Sequence, residues 1–479
     1  LLWVIVVLLG VMGAGFMVSS FWNRYTTTPT RASVETNHYP TWRVPFPAVT
    51  LCNSNKIFRS KAENLVAKLQ LPEDMTRENA MNRLALLGDL IDPSPAKSEP
   101  FSFEQVMEFQ DLLTAHNYTV RKLMKELGQS CSEMLVRCSW EGIIEDCNYL
   151  FEERKSYDGF CCSFNYRGVI EVVIDGKKML TAAKRKVNYT RYYSHRMGLS
   201  VLLNPNMNDY FVSTMFSTGV RMLVHGADDF PDDTATEKIL PVGRELLLRV
   251  TPTSGYCTDS VQDVSPEVRE CVFESERKLH YFPIYSEINC IAECRMDYTI
   301  QFCNCSHFYY HDTGKIRLCE LADIPCLRKY YYAMRTFEFG KTNMKCECPP
   351  LCNIVNYDVQ YSSGNFQAKQ YQVTPFFNNI TNVTGQTLFH FYYGSHVSIR
   401  TRRDIINSWN DLLSSLGGIF SLFLGCSLIS GVEVLYYFTL RLFVRLKLGL
   451  LEKSAITHLQ NVKPWTGPHT TRVGPATIK

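Results

Sequence analysis

The sequence predicts an α+β membrane protein in which two transmembrane helices bracket a large, disulfide-rich extracellular domain. Two long apolar segments lie near the ends of the 479-residue chain. Seventeen of its 18 cysteines fall between these segments, from Cys52 to Cys352. Because disulfides form in oxidising compartments, this cysteine-rich middle is expected outside the cytoplasm.

Composition narrows the class of function. Lys and Arg number 50 against 47 Asp and Glu, and a net charge of +3 gives no reason to expect a nucleic-acid binder. A hydrophobic content of 46% excludes a disordered chain, and a mean hydropathy of −0.12 excludes a protein made mostly of membrane spans. The sequence has no H-E-x-x-H, G-x-S-x-G or P-loop motif, so we predict neither an enzyme nor a cofactor.

The first apolar segment, residues 1–22, reads LLWVIVVLLGVMGAGFMVSSFW and contains no charged residue. About 20 apolar residues span a bilayer, so we predict the first transmembrane helix here. A secretory signal peptide is the alternative, although the segment has no basic start and no A-x-A cleavage site. Because the segment begins abruptly, we expect the chain to be N-terminally truncated, without its cytoplasmic flank.

The second apolar segment, residues 409–442, carries only Asp411, Glu433 and Arg441 as charges. At ~1.5 Å per residue a helix of this length exceeds the ~30 Å hydrocarbon core, so it must tilt or break. Basic residues follow, and by the positive-inside rule they place the tail, 443–479, in the cytoplasm. With two spans, the N-terminus is cytoplasmic too.

The middle of the chain, residues 23–408, is the predicted extracellular domain. It combines apolar residues at helical spacing with strand patterns, around a cysteine-dense stretch at 271–352. The helical stretches include 60–71, 76–91 and 119–129, and the strand-rich stretches are 160–255 and 354–395.

Five N-x-S/T sequons occur in this domain, at Asn117, Asn188, Asn304, Asn379 and Asn382. N-glycans are added outside the cytoplasm, so the sequons support the same topology. We predict glycosylation at Asn117, Asn188, Asn379 and Asn382.

Small residues recur in the second apolar segment at Ser414, Gly418, Ser421 and Gly425. Spacings of four, three and four place them on one face of a helix. Such a face suits close helix packing, and it equally suits a pore lining, where hydroxyls and carbonyls meet water and ions.

Glu433 is a carboxylate within the same apolar stretch. A charge there is costly unless it faces protein or water. It could pair with Arg441 or a neighbouring helix near the inner headgroups. Alternatively, it could be a vestibule charge that concentrates cations, and this alternative favours the pore lining.

Motifs at both ends of the chain resemble the degenerin/epithelial sodium channel family, which includes the acid-sensing channels. Gly425-Cys426-Ser427 resembles the family's G-x-S tripeptide, and the residues around it are similar to its second span. FPAVTLCN (46–53) resembles the start of the family's extracellular domain.

Motifs in the middle agree with this resemblance. NCIAEC (289–294), CNC (303–305) and CECPPLC (346–352), with Cys319 and Cys326, resemble the cysteine ladder of the family's thumb. CCSFN (161–165), GLSVLLN (198–204) and HGADDFP (225–231) look most like the arthropod pickpocket branch.

The resemblance implies a trimer whose subunits each have a β-sheet palm with helical finger and thumb. It implies a plasma-membrane pore, lined by three second spans, that passes Na+ and is often blocked by amiloride. Partners are then identical copies or sister subunits, and neither the gating stimulus nor an extracellular ligand is implied. The family's His-Gly motif lies before the first span, and the sequence begins after it.

The resemblance also assigns roles in the second span. Gly425, Cys426 and Ser427 form the selectivity filter, and Ser414 falls at the degenerin position, 11 residues before Gly425. With Gly418, Ser421 and Glu433 it belongs to the predicted pore and gate. We expect a short extended break at Gly425, which frees carbonyls toward the pore, and a capping hydroxyl at Ser427.

Eight disulfides follow from the resemblance and from pairing the two extra cysteines, Cys131 and Cys162. Cys257 is a competitor for one bond, and we expect it to be free or paired elsewhere. The pairs are Cys52–Cys161, Cys131–Cys162, Cys138–Cys147, Cys271–Cys352, Cys290–Cys348, Cys294–Cys346, Cys303–Cys326 and Cys305–Cys319.

Two metal sites were considered as alternatives. Cys303, Cys305, His307 and His311 could ligate zinc, but disulfides are favoured in an oxidising domain. The carboxylates of ADDFPDD (227–233) could bind calcium, but a solvated acidic turn is favoured. The sequence therefore predicts no metal.

The competing function is a non-conducting auxiliary or adhesion-type glycoprotein with two spans. A mere anchor has no need of a small-residue face or of Glu433, and these features favour the channel. An ATP-gated channel would need a basic cluster for phosphates, which we do not find in the sequence.

Overall fold

A computed structural model describes residues 2–96, 101–174, 177–182, 186–311, 314, 316–335, 346–367, 375–378, 380, 383–406 and 408–448. Chain contacts divide it into two units, which are described separately. One unit combines Leu1–Pro29 with Ile405–Lys479, and the other is Thr30–Asp404.

The elements follow in chain order. The helices are α1 (Leu2–Thr27), α2 (Arg59–Lys68), α3 (Arg77–Leu84), α4 (Phe103–Ala115), α5 (Val120–Leu127), α6 (Cys131–Met134), α7 (Cys147–Leu150), α8 (Pro266–Arg269), α9 (Glu287–Cys303), α10 (Ile324–Lys329), α11 (Tyr331–Arg335), α12 (Trp409–Leu424) and α13 (Leu428–Tyr436). The strands are β1 (Thr30–Pro40), β2 (Ala48–Asn53), β3 (Asn55–Phe58), β4 (Leu135–Trp140), β5 (Ile143–Glu145), β6 (Phe151–Ser156), β7 (Gly159–Phe164), β8 (Val169–Ile174), β9 (Lys177–Ala182), β10 (Leu199–Leu203), β11 (Tyr210–Ser213), β12 (Gly219–His225), β13 (Thr236–Pro241), β14 (Arg244–Cys257), β15 (Ile354–Asn365), β16 (Thr387–Tyr393) and β17 (Val397–Ile405).

Two sheets form the centre of the large unit. The larger, which we call the palm sheet, has the order β1-β17-β14-β16-β10-β4-β5, with β15 also paired to β14. The smaller has the order β13-β12-β2-β7-β6. The chain therefore forms a β-rich domain in which strands distant in sequence are neighbours.

Phe46 sits at the centre of the core shared by the two sheets. Its ring makes edge-to-face contacts with Trp140, Phe391 and Tyr393 at centroid distances of 4.9, 5.5 and 5.1 Å. Such pairs add to the stabilisation from burial. The Tyr357 and Tyr393 hydroxyls both donate to the half-buried Pro45 carbonyl, at 2.9 and 2.8 Å.

Short helices form a second core at one side of the domain. Thr76 and Thr119 cap α3 and α5 by accepting hydrogen bonds from backbone N–H groups, so the two predicted helices begin where a capping residue allows. A 3₁₀ segment, Ala85–Leu90, follows α3 and completes the predicted stretch 76–91. Phe109 and Phe308 are both fully buried in this core.

We call the cysteine-dense stretch 271–352 the thumb. Its longest helix is α9, and α10 and α11 pack against it. The disulfides have the same eight pairings that the resemblance and the extra cysteines imply: Cys52–Cys161, Cys131–Cys162, Cys138–Cys147, Cys271–Cys352, Cys290–Cys348, Cys294–Cys346, Cys303–Cys326 and Cys305–Cys319. Cys257 is a buried free thiol, and Cys426 is an exposed one.

Three sequons lie among the described residues. Asn117 follows α4, Asn304 ends α9, and both adopt left-handed backbone angles, with φ of 57° and 53°. Asn304 is exposed, whereas Ser306, the third residue of its sequon, is buried. Asn188 donates its N–H to the Asn165 side chain at 2.7 Å. The predicted sites at Asn379 and Asn382 lie outside the described residues.

Candidate pore segment

The second apolar segment is two helices rather than one. α12 begins at a capping box in which Ser408 and Asp411 exchange hydrogen bonds, and it ends at Gly425. α13 begins at a second capping box, formed by Ser427 and Ser430. A π-helical turn, Tyr437–Arg441, follows α13, and helix continues to residue 448. The segment is therefore interrupted at residues 425–427.

Gly425 makes the turn that stops α12. Its φ and ψ are 64° and 17°, in the left-handed region that glycine enters without steric cost, and its N–H bonds the Ser421 carbonyl at 3.0 Å. Ser427 is the extended residue, with φ and ψ of −100° and 169°. The break lies at the expected place, but its extended part is at Ser427 and not at Gly425.

Ser427 supplies the capping hydroxyl that the sequence predicts. Its Oγ accepts a hydrogen bond from Ser430 N at 3.3 Å, and its own N–H donates to Ser430 Oγ at 3.4 Å. Both ends of the break are thus capped locally. In the last turn of α12, the Ser421 carbonyl accepts from Gly425 N–H and the Leu424 carbonyl accepts from the Cys426 thiol at 3.6 Å. The Leu422 and Phe423 carbonyls have no following helical turn to bond with, because the helix stops there.

By length and hydropathy, one helix of the described residues can cross a membrane by itself. This helix is α1, with 26 residues, of which an 18-residue stretch has a mean hydropathy of 2.4. It continues to Thr27, beyond the apolar run 1–22. The second segment passes the same test only as a pair of helices bent by 77° at the break, which suits a broken span or a re-entrant loop.

α1 packs on α12 at glycines. A Cβ placed on Gly13 would lie 2.8 Å from a Phe423 ring carbon, and one on Gly10 would lie 2.8 Å from the Phe423 carbonyl oxygen. Ala14 on α1 and Leu412 on α12 are both buried at 2% exposure. This contact was not predicted from the sequence, because Gly10 and Gly13 are simply part of an apolar run there.

The small-residue face of α12 points away from α1. At 100° per residue, Ser414 lies half a turn of rotation from Phe423, and Gly418, Ser421 and Gly425 lie within about 40° of Ser414. All four small residues are exposed within the chain. A Cβ on Gly418 or Gly425 would meet no atom within 4 Å. One face of α12 is thus covered by α1, and the opposite face is bare.

Glu433 and Arg441 do not form the ion pair that was one of the two alternatives. Both residues lie in the described stretch 408–448, and the Arg441 guanidinium sits over the Tyr437 ring, 4.7 Å from its centroid. The Glu433 side chain is exposed. The carboxylate is therefore available to a neighbouring helix or to water.

β1 and β17 are the strands that adjoin α1 and α12 in sequence, and they are neighbours in the palm sheet. Arg400 on β17 is stacked between Tyr39 and Tyr256, at 4.6 and 4.1 Å from their ring centroids. Its Nε lies 3.4 Å from a Glu35 carboxylate oxygen. The Tyr256 hydroxyl donates to the same carboxylate at 2.9 Å. We call these four residues the Arg400 stack.

The Arg400 stack ties three strands, β1, β14 and β17, through one guanidinium. Cation–π contacts of this kind contribute about 0.5–2 kcal/mol each. No sequence pattern indicates this stack, because its members are single residues at positions 35, 39, 256 and 400. Only the sheet order brings them together.

Three carboxylates of the acidic turn after β12 pair with arginine side chains and are not arranged around a calcium site. Asp228 pairs with Arg167, and Asp232 and Asp233 both pair with Arg295 on α9. Asp232 is only 1% exposed. The favoured interpretation, a solvated turn, is wrong, since protein cations neutralise these carboxylates.

The pKa values of the Arg295 partners diverge. Burial raises the pKa of Asp232 to about 7, although Arg295 opposes the shift. The pKa of Asp233 is lowered, because the attraction and hydrogen bond of Arg295 exceed the cost of its burial. Asp233 therefore stays ionised beside Arg295, whereas Asp232 titrates near neutral pH.

The four candidate zinc ligands, Cys303, Cys305, His307 and His311, do not form a metal site, because two of them are already bonded. Cys303 and Cys305 are both used in disulfides. Burial lowers the pKa of His307 to about 4, so this histidine stays neutral within the helical core. Within the described part of the chain, both groups of three candidate metal ligands contain two disulfide-bonded cysteines.

The whole chain was compared with known proteins. Residues 1–437 match the family described as amiloride-sensitive sodium channel. Sodium channel protein Nach of Drosophila melanogaster is 30% identical over 97% of this chain and 86% of its own length. Pickpocket protein 28 of Drosophila melanogaster is 26% identical over 92% and 73% of the two chains. Acid-sensing ion channel 1C of Danio rerio is 23% identical over 82% and 70%.

The family match extends over the first apolar segment, the disulfide-rich domain and most of the second apolar segment. The matches agree with the β-rich fold and with the motifs that carried the resemblance. The chain belongs to the degenerin/epithelial sodium channel family, a family of ion channels and not of enzymes.

Proposed function

We propose that this chain is one subunit of a trimeric, sodium-selective channel of the plasma membrane that amiloride blocks. α1 and the broken segment 409–442 are its two spans, residues 23–408 are extracellular, and both termini are cytoplasmic. Its partners are two further copies or sister subunits. Family membership supports this proposal, and so do the sequons and disulfides of the extracellular domain.

The observation that carries the proposal is the pair of opposite faces on α12. The face around Phe423 is covered by α1, whose outer side then faces lipid. The bare face of Ser414, Gly418, Ser421 and Gly425 is left for contact with other copies or with water. Small residues suit this position, because three helices can approach one axis closely there.

Gly425, Cys426 and Ser427 are the proposed filter. Helix termini leave carbonyls without partners, and within a membrane such groups are tolerated only where they face water or protein. A break in the pore-lining segment would present those freed carbonyls that lie away from α1 to a passing Na+ ion, whereas the Phe423 carbonyl lies on the α1 side. The two caps hold the break in one conformation, and three copies would repeat it around the axis.

Glu433 is the proposed vestibule charge. It lies on α13, past the filter, and three copies would form an acidic ring. Such a ring raises the local concentration of cations without coordinating them tightly. Its effect should be on conductance, and ion preference should remain with the filter.

Gating through the extracellular domain is the last part of the proposal. β1 and β17 continue in sequence into the two spans, and the Arg400 stack ties them to β14. A rearrangement of the palm sheet would therefore act on both spans through adjoining strands. The stimulus that starts it is not specified by these contacts.

The deciding experiment is to record sodium currents from cells that express this chain alone and with sister subunits. We expect an amiloride-blocked current whose sodium-to-potassium permeability ratio changes in Gly425→Ala and Ser427→Ala. Cys426→Ala and Cys426→Ser are matched controls at the intervening position and should change the ratio less. Unchanged ion preference in both test variants would move the filter elsewhere, with Glu433 as the next candidate.

The same recording addresses the competing function. An auxiliary or adhesion glycoprotein would reach the surface yet carry no current in any subunit combination. Surface biotinylation in parallel separates that outcome from failure of delivery.

A further inference from the structure

Three cysteine sulfurs meet where the thumb joins the palm sheet. Cys271 and Cys352 form a disulfide, and Cys257 is a buried free thiol. The Sγ atoms of all three residues lie within 4.8 Å of one another. A thiolate beside a disulfide is the arrangement from which thiol–disulfide exchange proceeds.

The strands place Cys257 opposite Cys352. β14 and β15 pair antiparallel up to Gly255 and Ile354, and the same register continued brings Cys257 to face Cys352. Cys257 N donates to the Asn353 side chain at 3.1 Å, and its Sγ lies 3.4 Å from the Cys352 carbonyl oxygen. Directly opposed residues of antiparallel strands have Cα separations that a disulfide can bridge.

We propose that the Cys257 thiol exchanges with the Cys271–Cys352 disulfide, so that Cys352 bonds to Cys271 in one isomer and to Cys257 in the other. Cys257 loses its proton to solvent, and its thiolate attacks Sγ of Cys352. The bond to Cys271 breaks, and Cys271 leaves as a thiolate that takes up a proton. One disulfide and one thiol exist before and after the step, so it requires no oxidant or reductant.

The exchange changes how the thumb is tied to the palm sheet. The bond in the structure joins residues 81 apart in sequence, whereas Cys257 and Cys352 are 95 apart. In the second isomer the thumb is bonded directly to the end of a palm strand. In that isomer the residues between Cys257 and Cys271 are held in place at the Cys271 end by non-covalent contacts.

Arg269 supplies those non-covalent contacts. It is 1% exposed, donates to the Val264 carbonyl at 2.8 Å and pairs with Glu276. Its carbonyl accepts a hydrogen bond from Arg403 on β17 at 2.8 Å. The stretch therefore has an anchor of its own that does not require the Cys271 bond.

The local environment governs the rate of the step. Burial raises the pKa of the Cys257 thiol, and the nearby guanidinium groups of Arg403 and Arg269 oppose this shift. The reactive thiolate is therefore a minor form at neutral pH. The exchange should be faster in mildly alkaline solution.

The first test uses the full-length wild-type glycoprotein, without redox reagents, at neutral and mildly alkaline pH. Free thiols are trapped with N-ethylmaleimide, and disulfides are mapped by mass spectrometry of non-reduced peptides. We expect the label on Cys271 as well as Cys257, together with a Cys257–Cys352 linked peptide, and more of both at the higher pH. Label on Cys257 alone at both pH values would overturn the proposal.

The second test counts thiols in a variant. Cys271→Ser should form the Cys257–Cys352 bond and leave no free thiol in the extracellular domain, whereas two labelled thiols, on Cys257 and Cys352, would contradict the proposal. Cys257→Ser is the matched control and should keep Cys271–Cys352. If Cys271→Ser does not reach a mature glycosylated form, the wild-type map decides alone. Neither readout requires a conducting channel.

Discussion

The thumb and the outer edge of the palm sheet are held together by different forces. Five disulfides cross the thumb. β1 and β17 contain no cysteine, and the contacts that hold them beyond sheet hydrogen bonds are non-covalent, with the Arg400 stack and the Arg403–Arg269 hydrogen bond among them. Covalent ties fix a conformation, whereas stacked and paired side chains rearrange at a cost of a few kcal/mol. The rigid, cross-linked thumb is therefore distant in sequence from the two spans. The contacts that can rearrange lie in β1 and β17, which continue in sequence into the spans.

The largest expected effect comes from removing covalent ties from the thumb. The double change Cys290→Ser and Cys348→Ser removes a disulfide between residues 58 apart in sequence. Loss of such a disulfide typically lowers the free energy of unfolding by about 2–5 kcal/mol. We expect little of the chain to mature, measured as complex-type glycans and surface biotinylation. The control Cys426→Ser removes a thiol that has no disulfide partner. Equal surface levels for the two proteins would mean that the thumb has enough core without this bond.

The second largest effect is expected in α12, the helix that follows β17 in sequence. Ser414→Val places a bulky side chain on the bare face of the helix, and overpacking of close contacts typically costs about 1–3 kcal/mol. If three such faces meet in the closed pore, the closed state should be selectively destabilised and the resting current should rise. Leu413→Val, a change at a neighbouring exposed position on a different face, is the control. A resting current that rises equally in both variants would count against the assignment of Ser414.

A smaller effect is expected at the palm edge itself. Arg400→Ala removes two ring contacts and one ion pair, of which the stacking is worth about 1–2 kcal/mol. Surface levels should stay near wild type while the open fraction of surface channels changes. Arg400→Lys keeps the charge but not the planar stack and should give an intermediate value. A loss of surface protein as large as that from the thumb variant would make this edge as structural as the thumb.

The smallest effect concerns the ion pair between Asp232 and Arg295, which ties the turn after β12 to the thumb helix α9. Burial raises the pKa of Asp232 to about 7, above its usual value of ~4, so the folded state binds this proton more tightly. The stabilisation is complete below about pH 4 and is lost as pH rises toward 7. Asp232→Asn should therefore flatten the fall of the thermal unfolding midpoint between mildly acidic and neutral pH.

Asp233→Asn is the matched control for that titration. Arg295 lowers the pKa of Asp233, so its contribution is present at neutral pH and lost in acid. This variant should lose stability at neutral pH and show little change at low pH. Parallel pH profiles for the two variants would mean that the pair does not divide its roles in this way.

Local patterns predicted the parts of the fold that depend on neighbouring residues. The helices that begin after Thr76 and Thr119 were predicted from apolar spacing, and the break at Gly425 was predicted from the glycine and the length of the segment. The family was identified correctly from its combined motifs, because the cysteine spacings and the second span occur together.

Long-range electrostatics could not be predicted in the same way. Asp232 and Asp233 looked like a solvated turn, because their partner Arg295 lies more than 60 residues away. The Arg400 stack joins strands whose order a single sequence does not reveal, and Phe423 packs on a helix at the other end of the chain. In each case the role of a single charge or ring depends on a partner that only the tertiary structure brings close.

The position of Asn304 has a consequence for biosynthesis. It lies between Cys303 and Cys305, which are both cross-linked, and Ser306 of the same sequon is buried at 3%. A glycosyltransferase must bind the acceptor Asn304 and the Ser306 hydroxyl together. It can therefore modify only a chain in which the disulfides of Cys303 and Cys305 have not yet formed. Sugar addition and oxidation therefore compete in time at this position. The fraction of mature protein that carries a glycan at Asn304 would record which of the two came first.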